Sequence, residues 1–259
     1  MIDIRHIHFC YHPSRPVLHD VGGRIRPGDF AAIVGPNGSG KSTLIKCLCG
    51  ILKPQRGSIL INGLPVAKYP PVRLARTVAY IPQTEKSYRP ITVFDAVLTG
   101  RTPYIRWKPS GQDFDEVAGV LRKLGIARLS MRYVHELSGG QQQTVMIARA
   151  LAQKTRILLL DEPTANLDMR HQQEVMELLK SLSARGLTIV MSIHDINTAI
   201  RYTGRLMMLK EGRLFAGGGR EIVTRENMEQ LYDIRVEMLD VHGTPHVIPH
   251  SVQFRSDEI

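Results

Sequence analysis

The chain has 259 residues, of which 34 are Lys or Arg and 24 are Asp or Glu, so its formal net charge is +10. Its 43% hydrophobic and 22% charged residues are typical of a globular protein and exclude an intrinsically disordered one. Three cysteines do not make a disulfide framework, and no apolar run approaches the ~20 residues that span a bilayer. Because the N-terminus also lacks the basic and apolar regions of a signal peptide, we expect a soluble intracellular protein that does not itself cross a membrane.

The positive charge would suit nucleic acid, an anionic membrane face or an anionic ligand, but a solvated surface rich in Lys and Arg explains it equally well. The sequence has neither the aromatic pattern of an RNA-recognition motif, nor zinc-finger spacing, nor a block of five or more basic residues. We therefore expect no nucleic-acid partner.

The chain is predicted to open with a strand. Residues 2–10 alternate, so the even-numbered side chains, among them His6, His8 and Cys10, should share one face. Together with His12 they resemble a metal site, but ordinary strand packing is the favoured interpretation.

Buried strands and helices are predicted to follow. Phe30–Val34 is a short apolar run that ends at a glycine, as a buried parallel strand does. A helical pattern covers residues 42–50 and returns over residues 92–100, where Thr92 is the expected cap, and again over residues 114–124. A capping box at Ser138 opens a further helix that runs to about residue 153.

The last part of the chain alternates between strand and helix patterns. Strands are predicted at residues 157–160, 188–193 and 206–209, and helices at residues 172–182 and 197–202. This alternation predicts an α/β sheet that is interrupted by a helical insertion, with a small appendage after Gly219.

Residues 35–42 match the phosphate-binding loop G-x-x-x-x-G-K-[ST], between a predicted strand and a predicted helix. Its backbone N–H groups and the helix dipole should hold phosphate oxygens. Lys41 is expected to pair with the β- and γ-phosphates, Ser42 to bind Mg²⁺, and Thr43 to lie near the α-phosphate. The candidate nucleotide ligands here are Gly35, Pro36, Asn37, Gly38, Ser39, Gly40, Lys41, Ser42 and Thr43.

The predicted strand after Arg156 ends in two carboxylates. If it lies beside the strand of the phosphate-binding loop, Asp161 reaches the Mg²⁺ shell, through a water molecule. Glu162, one residue further, is placed to orient and deprotonate an attacking water. The pattern is weak alone and strong in combination with the loop.

The segment Leu137-Ser138-Gly139-Gly140-Gln141, just before that strand, resembles the signature of the ATP-binding-cassette (ABC) family, and the resemblance extends over most of residues 2–250. It implies ATP and Mg²⁺ as ligands. It also implies that Tyr11 stacks on adenine, that Gln83 contacts Mg²⁺ and the attacking water, that Asp168 belongs to the D-loop, and that His194 lies near the γ-phosphate. The residues at 142–144 depart from the family pattern, which often has a basic residue there.

The signature also has a physical interpretation. Ser138, Gly139 and Gly140, followed by Gln141, place a hydroxyl and free N–H groups at a helix N-terminus, which makes a second anion site. One fold has little use for two phosphate sites on one triphosphate, so the signature of one copy is expected to close on the loop of another. The resemblance implies such a head-to-tail homodimer with two ATP molecules between the copies.

The resemblance implies an α/β fold: a P-loop NTPase (ABC ATPase) core with a mixed or parallel sheet, an antiparallel N-terminal β part and an inserted α-helical subdomain. We expect residues 1–84 and 155–219 to form the core, residues 85–154 the insertion with the signature, and residues 220–259 a C-terminal appendage.

Softer patterns resemble the branch of importers for iron chelates, haem and vitamin B12, some of whose members carry molybdate or tungstate. They are residues 91–93, 99–104, 194–199 and the tail 236–249. This branch implies two copies of a polytopic membrane permease, indirect contact with an extracytoplasmic substrate-binding protein, and a peripheral place on the cytoplasmic face of the cell membrane. The permease should dock within residues 84–106.

Two other classes of protein stay open: a soluble ABC ATPase without a membrane partner, such as the iron–sulfur cluster assembly ATPase, and the separate ATPase subunit of an exporter.

Several other residues are expected to have ordinary structural roles. His242, His246 and His250 are expected to be solvated tail residues, and Cys47 with Cys49 to be small buried hydrophobes. Trp107, in a turn-rich loop with basic neighbours, suits a contact surface or simple packing.

Overall fold

The computed structural model describes residues 1–83 and 90–250. Its strands and longer helices, in chain order, are β1 (Ile2–His12), β2 (Arg15–Ile25), β3 (Phe30–Val34), α1 (Lys41–Leu48), β4 (Arg56–Ile61), β5 (Leu64–Pro65), α2 (Pro71–Ala75), β6 (Val78–Ile81), α3 (Val93–Leu98), α4 (Gly111–Lys123), α5 (Gly139–Ala152), β7 (Ile157–Asp161), α6 (Met169–Ala184), β8 (Thr188–Ser192), α7 (Ile196–Tyr202), β9 (Arg205–Lys210), β10 (Arg213–Gly218), α8 (Arg225–Tyr232), β11 (Val236–Val241) and β12 (Thr244–Pro249).

Two sheets form the framework. The larger sheet has the order β10-β9-β3-β8-β7-β6, and its strands are parallel except for β10. The smaller, antiparallel sheet has the order β2-β1-β4-β5 and contains the N-terminal strands. The predicted α/β fold with an antiparallel N-terminal part is confirmed.

The prediction of which β1 side chains share one face is wrong beyond residue 5. The strand contains a bulge at His6, whose φ is 49°, and its register with β2 shifts between Ile4 and Ile7. The extra residue returns Ile7 and Phe9 to the face of Ile4, and these three side chains are buried. His6 therefore points away from the core, and its Nδ1 lies 2.7 Å from Oδ1 of Asp20.

In the described part of the chain, three apolar cores hold the elements together. One lies between the larger sheet and α6, α7 and α8, and a second lies on the other face of that sheet, against α1 and the smaller sheet. All five residues of β3 are buried, because both faces of the sheet are covered. The third core belongs to the helices α3, α4 and α5. The carboxyl ends of β3, β7 and β8 are thus held rigidly side by side.

Helix α8 and the hairpin of β11 and β12 follow strand β10 in the chain. Asn197, in α7, binds both backbone groups of Val247: its Nδ2 donates to the carbonyl at 3.0 Å, and its Oδ1 accepts from the N–H at 2.8 Å. The expectation that His246 is solvated is wrong, because it lies half-buried in strand β12. Within the described ranges, no helix is long and apolar enough to cross a bilayer.

Candidate functional site

The phosphate-binding loop connects the buried strand β3 to helix α1, and three of its glycines have positive φ. At Gly35, with φ 152°, an added Cβ would lie 2.0 Å from the backbone oxygen of Leu209. At Gly40, with φ 102°, it would lie 2.9 Å from Cδ2 of Leu18. The loop can follow this path only with glycine at these positions.

The ammonium of Lys41 is held inside the loop. Its Nζ donates to the carbonyl of Gly35 at 2.8 Å and to that of Pro36 at 2.9 Å, and the residue is 5% exposed. Burial lowers the pKa of Lys41, while the carboxylates of Glu162 and Asp161 raise it. A buried cation whose direct partners here are neutral carbonyls favours an anionic ligand.

Asp161 ends strand β7 and accepts two hydroxyl hydrogen bonds on Oδ1. Ser42, in the first turn of α1, donates at 2.8 Å, and Ser192, at the end of β8, donates at 2.7 Å. Asp161 and Ser192 are both buried. Oxygen ligands of this kind suit Mg²⁺, so Ser42 and Asp161 fit the predicted magnesium site.

Glu162 follows immediately and has a left-handed backbone, with φ 50°. Its N–H donates to Oγ of Ser192 at 2.9 Å. Its Oε2 accepts from Nε2 of Gln83 at 2.5 Å, and its Oε1 contacts Nε2 of His194. The structure therefore brings the three predicted catalytic side chains together. Glu162, at their centre, is only 9% exposed.

Ser192 is the residue of this site that the sequence reasoning missed. It is fully buried and ties Asp161 and Glu162 to strand β8. The signal in the sequence is a polar residue directly after the apolar residues Ile189, Val190 and Met191 of this strand. In a strand buried on both faces, such a hydroxyl needs partners.

A cavity of about 250 Å³ joins these parts, and its lining includes Lys41, Thr43, Glu162 and His194. The predicted adenine contact, Tyr11, lies near it: its hydroxyl is 3.3 Å from Oγ1 of Thr43, and the residue is 58% exposed. The ring is thus available for stacking.

The signature residues lie elsewhere. Ser138 caps α5 in a reciprocal capping box with Gln141. Gly140 packs on helix α6, where an added Cβ would lie 2.2 Å from Cδ2 of His171. Asp168 caps α6 and accepts from the N–H of His171 at 2.9 Å. In this chain the signature therefore faces the D-loop and α6.

This arrangement can be compared with known proteins. The family model for ABC transporters matches residues 18–165. The chain belongs to the ABC transporter family. It is an ATP-binding ABC ATPase, as the signature indicated.

The alignments with two curated relatives cover most of this ABC ATPase. The ferric enterobactin transport ATP-binding protein of Escherichia coli K12 is 40% identical over 90% of this chain and 88% of its own length. The hemin import ATP-binding protein of Nocardia farcinica is 38% identical over 92% of this chain and 83% of its own length.

Solved structures support the same assignment. A protein described as a metal-chelate type ABC transporter, in an inward-facing conformation, is 29% identical, with a TM-score of 0.85 over 96% of this chain and 97% of that chain. A dimeric ABC transporter cassette is 30% identical, with a TM-score of 0.73 over 85% of this chain and 98% of that chain. The predicted ABC ATPase fold is confirmed.

Proposed function

We propose that this ABC ATPase binds and hydrolyses ATP to drive an importer that takes up an iron chelate, haem, a corrinoid or a related metal compound through a separate permease. The cargo class is supported by relatives named for ferric enterobactin transport and hemin import. The observation that carries the chemistry is the contact of Glu162 with Gln83 and His194, beside the phosphate-binding loop.

In this proposal the loop residues 35–43 bind the phosphates of ATP through backbone N–H groups and the ammonium of Lys41. Tyr11 stacks on the adenine. Ser42 and Gln83 would hold Mg²⁺ directly, and Asp161 would hold it through water. Bound Mg²⁺ would neutralise charge on the phosphates during the reaction.

Glu162 acts as the base that takes a proton from the attacking water. Gln83 and His194 already contact its two carboxylate oxygens. They hold the carboxylate in place, and His194 is positioned to sense the γ-phosphate. Ser192 fixes the backbone from which Glu162 projects.

The second anion site implies a partner. Gly139 and Gly140 lie against Leu167 and His171 of their own chain. In this proposal Ser138, Gly139, Gly140 and Gln141 act on the ATP of a second copy, with Asp168 beside the interface. The dimeric structure of a related cassette supports a homodimer. We place its two copies head to tail, with ATP driving closure and hydrolysis releasing it.

We further propose that the homodimer works with two permease copies at the cytoplasmic face of the membrane, and meets the substrate-binding protein only indirectly. The division into a core (residues 1–84 and 155–219), an insertion (85–154) and an appendage (220–259) belongs to this proposal. Of the proposed permease-docking segment, residues 84–106, positions 84–89 lie outside the described residues.

The soluble assembly ATPase is the alternative, and the names of the curated relatives favour transport. A pull-down of the tagged chain from detergent-solubilised native membranes separates the two. A polytopic membrane protein recovered in roughly equal amount supports import. Recovery of soluble partners only, with the chain absent from the membrane fraction, would overturn it.

The variant Glu162→Gln tests the chemistry. We expect ATP binding to persist, turnover to fall by about 10²–10⁴-fold, and a closed dimer to accumulate with ATP. The control is Glu174→Gln, an exposed carboxylate on α6 that pairs with Arg170. Normal hydrolysis by the Glu162 variant would rule out this residue as the base.

A further inference from the structure

One loop of the helical insertion displays an aromatic side chain to solvent. Trp107 is 98% exposed, the highest exposure among the large apolar residues that the structure describes. Its neighbours Arg106 and Lys108 are also exposed. A large apolar side chain between two cations has no role in the nucleotide site.

Both ends of this loop are held firmly. Before it, Arg101 pairs with Asp113 at 3.0 Å, and both residues are 5% exposed; Arg101 also donates to the carbonyl of Ala152. After it, Ser110 forms a reciprocal capping box with Asp113. The exposure of Trp107 therefore belongs to a short segment, residues 105–109, that is anchored on both sides.

Tyr104 connects the loop to helix α2. Its hydroxyl donates to the carbonyl of Gln153 at 3.1 Å, and the guanidinium of Arg76 lies over its ring at 4.7 Å. Arg76 also donates to the carbonyl of Pro103 at 2.8 Å. Arg73, one turn earlier on α2, is exposed too. We call Arg73, Arg76, Arg106, Trp107 and Lys108 the basic aromatic patch.

The two sequence segments that contribute to this patch contain basic but no acidic residues. Residues 30–84 contain seven Lys or Arg and no Asp or Glu, and residues 96–112 contain three Lys or Arg and no Asp or Glu. Four of these ten cations, Arg73, Arg76, Arg106 and Lys108, belong to the patch. Such a surface attracts an anionic partner.

The patch lies at the β6 edge of the larger sheet. Gln153, whose carbonyl the Tyr104 side chain contacts, donates from Nε2 to the carbonyl of Val78 at the start of β6. The C-terminal elements lie elsewhere: the hairpin packs on α7, and helix α8 packs beside β9 and β11. Strand β6 is one of the two edge strands of the sheet, and the chain leads from it directly to Gln83. The proposed permease-docking segment, residues 84–106, ends at Arg106, so the patch adjoins that segment in the sequence.

We propose that the basic aromatic patch contacts the membrane surface, with Trp107 at the level of the lipid headgroups and the cations facing anionic lipids. Tryptophan prefers this interface, and nearby Lys and Arg are attracted by an anionic leaflet. The inference rests on the proposed function, which places the subunit at the membrane.

Trp107 is the only tryptophan of the chain, so the intrinsic tryptophan fluorescence reports on this side chain alone. We would titrate the 259-residue chain with phosphatidylcholine vesicles, with and without phosphatidylglycerol. Anionic vesicles should shift the emission to shorter wavelength and protect Trp107 from a soluble quencher, whereas neutral vesicles should do neither. An unchanged emission with anionic vesicles would overturn the inference.

Charge variants test the cations. Each contributes about fivefold to binding an anionic leaflet, so Arg106→Gln with Lys108→Gln should weaken vesicle binding roughly thirtyfold. The matched control removes the same charge from Arg220 and Arg225, which are exposed beyond β10. Equal losses in both pairs would mean that net charge, and not the patch, drives binding.

Two further outcomes are distinguishable. If the emission shifts only on addition of the co-purified permease in lipid-free detergent, the patch binds protein and the lipid inference fails while the proposed function stands. If anionic vesicles shift it and no permease co-purifies, the membrane contact stands while the importer function fails.

Discussion

Removal of one buried hydroxyl should separate catalysis from ATP binding. In Ser192→Ala, the N–H of Glu162 loses its acceptor at 2.9 Å, and Oδ1 of Asp161 loses one of two hydroxyl donors, at 2.7 Å. The donor Ser42 remains on Asp161. The change therefore acts on the ends of β7 and β8 and leaves the phosphate-binding loop intact.

The expected loss of stability follows from the two hydrogen bonds that Ser192 makes. A buried N–H left without a partner costs about 1–3 kcal/mol, and a hydrogen bond to a charged acceptor contributes about 1.5–3 kcal/mol. Because the bonds share one hydroxyl and Ser42 compensates in part, we expect a loss of about 2–4 kcal/mol in the free energy of unfolding. The left-handed backbone of Glu162 then has fewer constraints, so its carboxylate is less well placed.

Denaturant unfolding of the nucleotide-free chain measures the first effect, and steady-state ATPase kinetics measures the second. We expect kcat to fall while the KM for ATP stays nearly constant. The control is Ser183→Ala, which removes a single hydrogen bond, of 3.0 Å, to the carbonyl of Gly28. A loss of stability no larger than in this control, with unchanged kcat, would refute the reasoning.

Two further variants test packing and charge. Gly140→Ala places a methyl group 2.2 Å from Cδ2 of His171, so we expect a loss of about 1–3 kcal/mol in denaturant unfolding and weaker ATP-dependent dimerisation in gel filtration. Measured in a His171→Ala background, which removes the ring but leaves a Cβ 2.9 Å away, the same change should cost less; an equal cost in both backgrounds would contradict the clash. The pKa of Asp113 is lowered from 3.8, chiefly by its hydrogen bond from the hydroxyl of Ser110, with Arg101 adding to it. The ionised carboxylate therefore stabilises the fold above pH 3.8, and the stability advantage over Asp113→Asn should shrink as the pH falls below this value; an advantage independent of pH would contradict the assignment.

Local motifs could be predicted from the sequence because their function depends on residues close together in the chain. The loop at residues 35–42 and the capping box at Ser138 are of this kind, and so are the type and order of most elements. Contacts set by strand pairing could not be predicted. The bulge at His6 depends on how β1 pairs with β2 and β4, and the role of Ser192 depends on β7 lying beside β8. Helix α6 begins at Met169, three residues before its predicted start, because Asp168 caps it.

The bond between Asn197 and the C-terminal hairpin has an evolutionary consequence. Helix α7 begins two residues after His194, and the hairpin reaches this helix through the backbone of Val247. Because both hydrogen bonds use backbone atoms of Val247, side-chain substitutions in the hairpin can accumulate without removing either bond. The hairpin can therefore diverge in sequence while it keeps its attachment to the helix that follows His194.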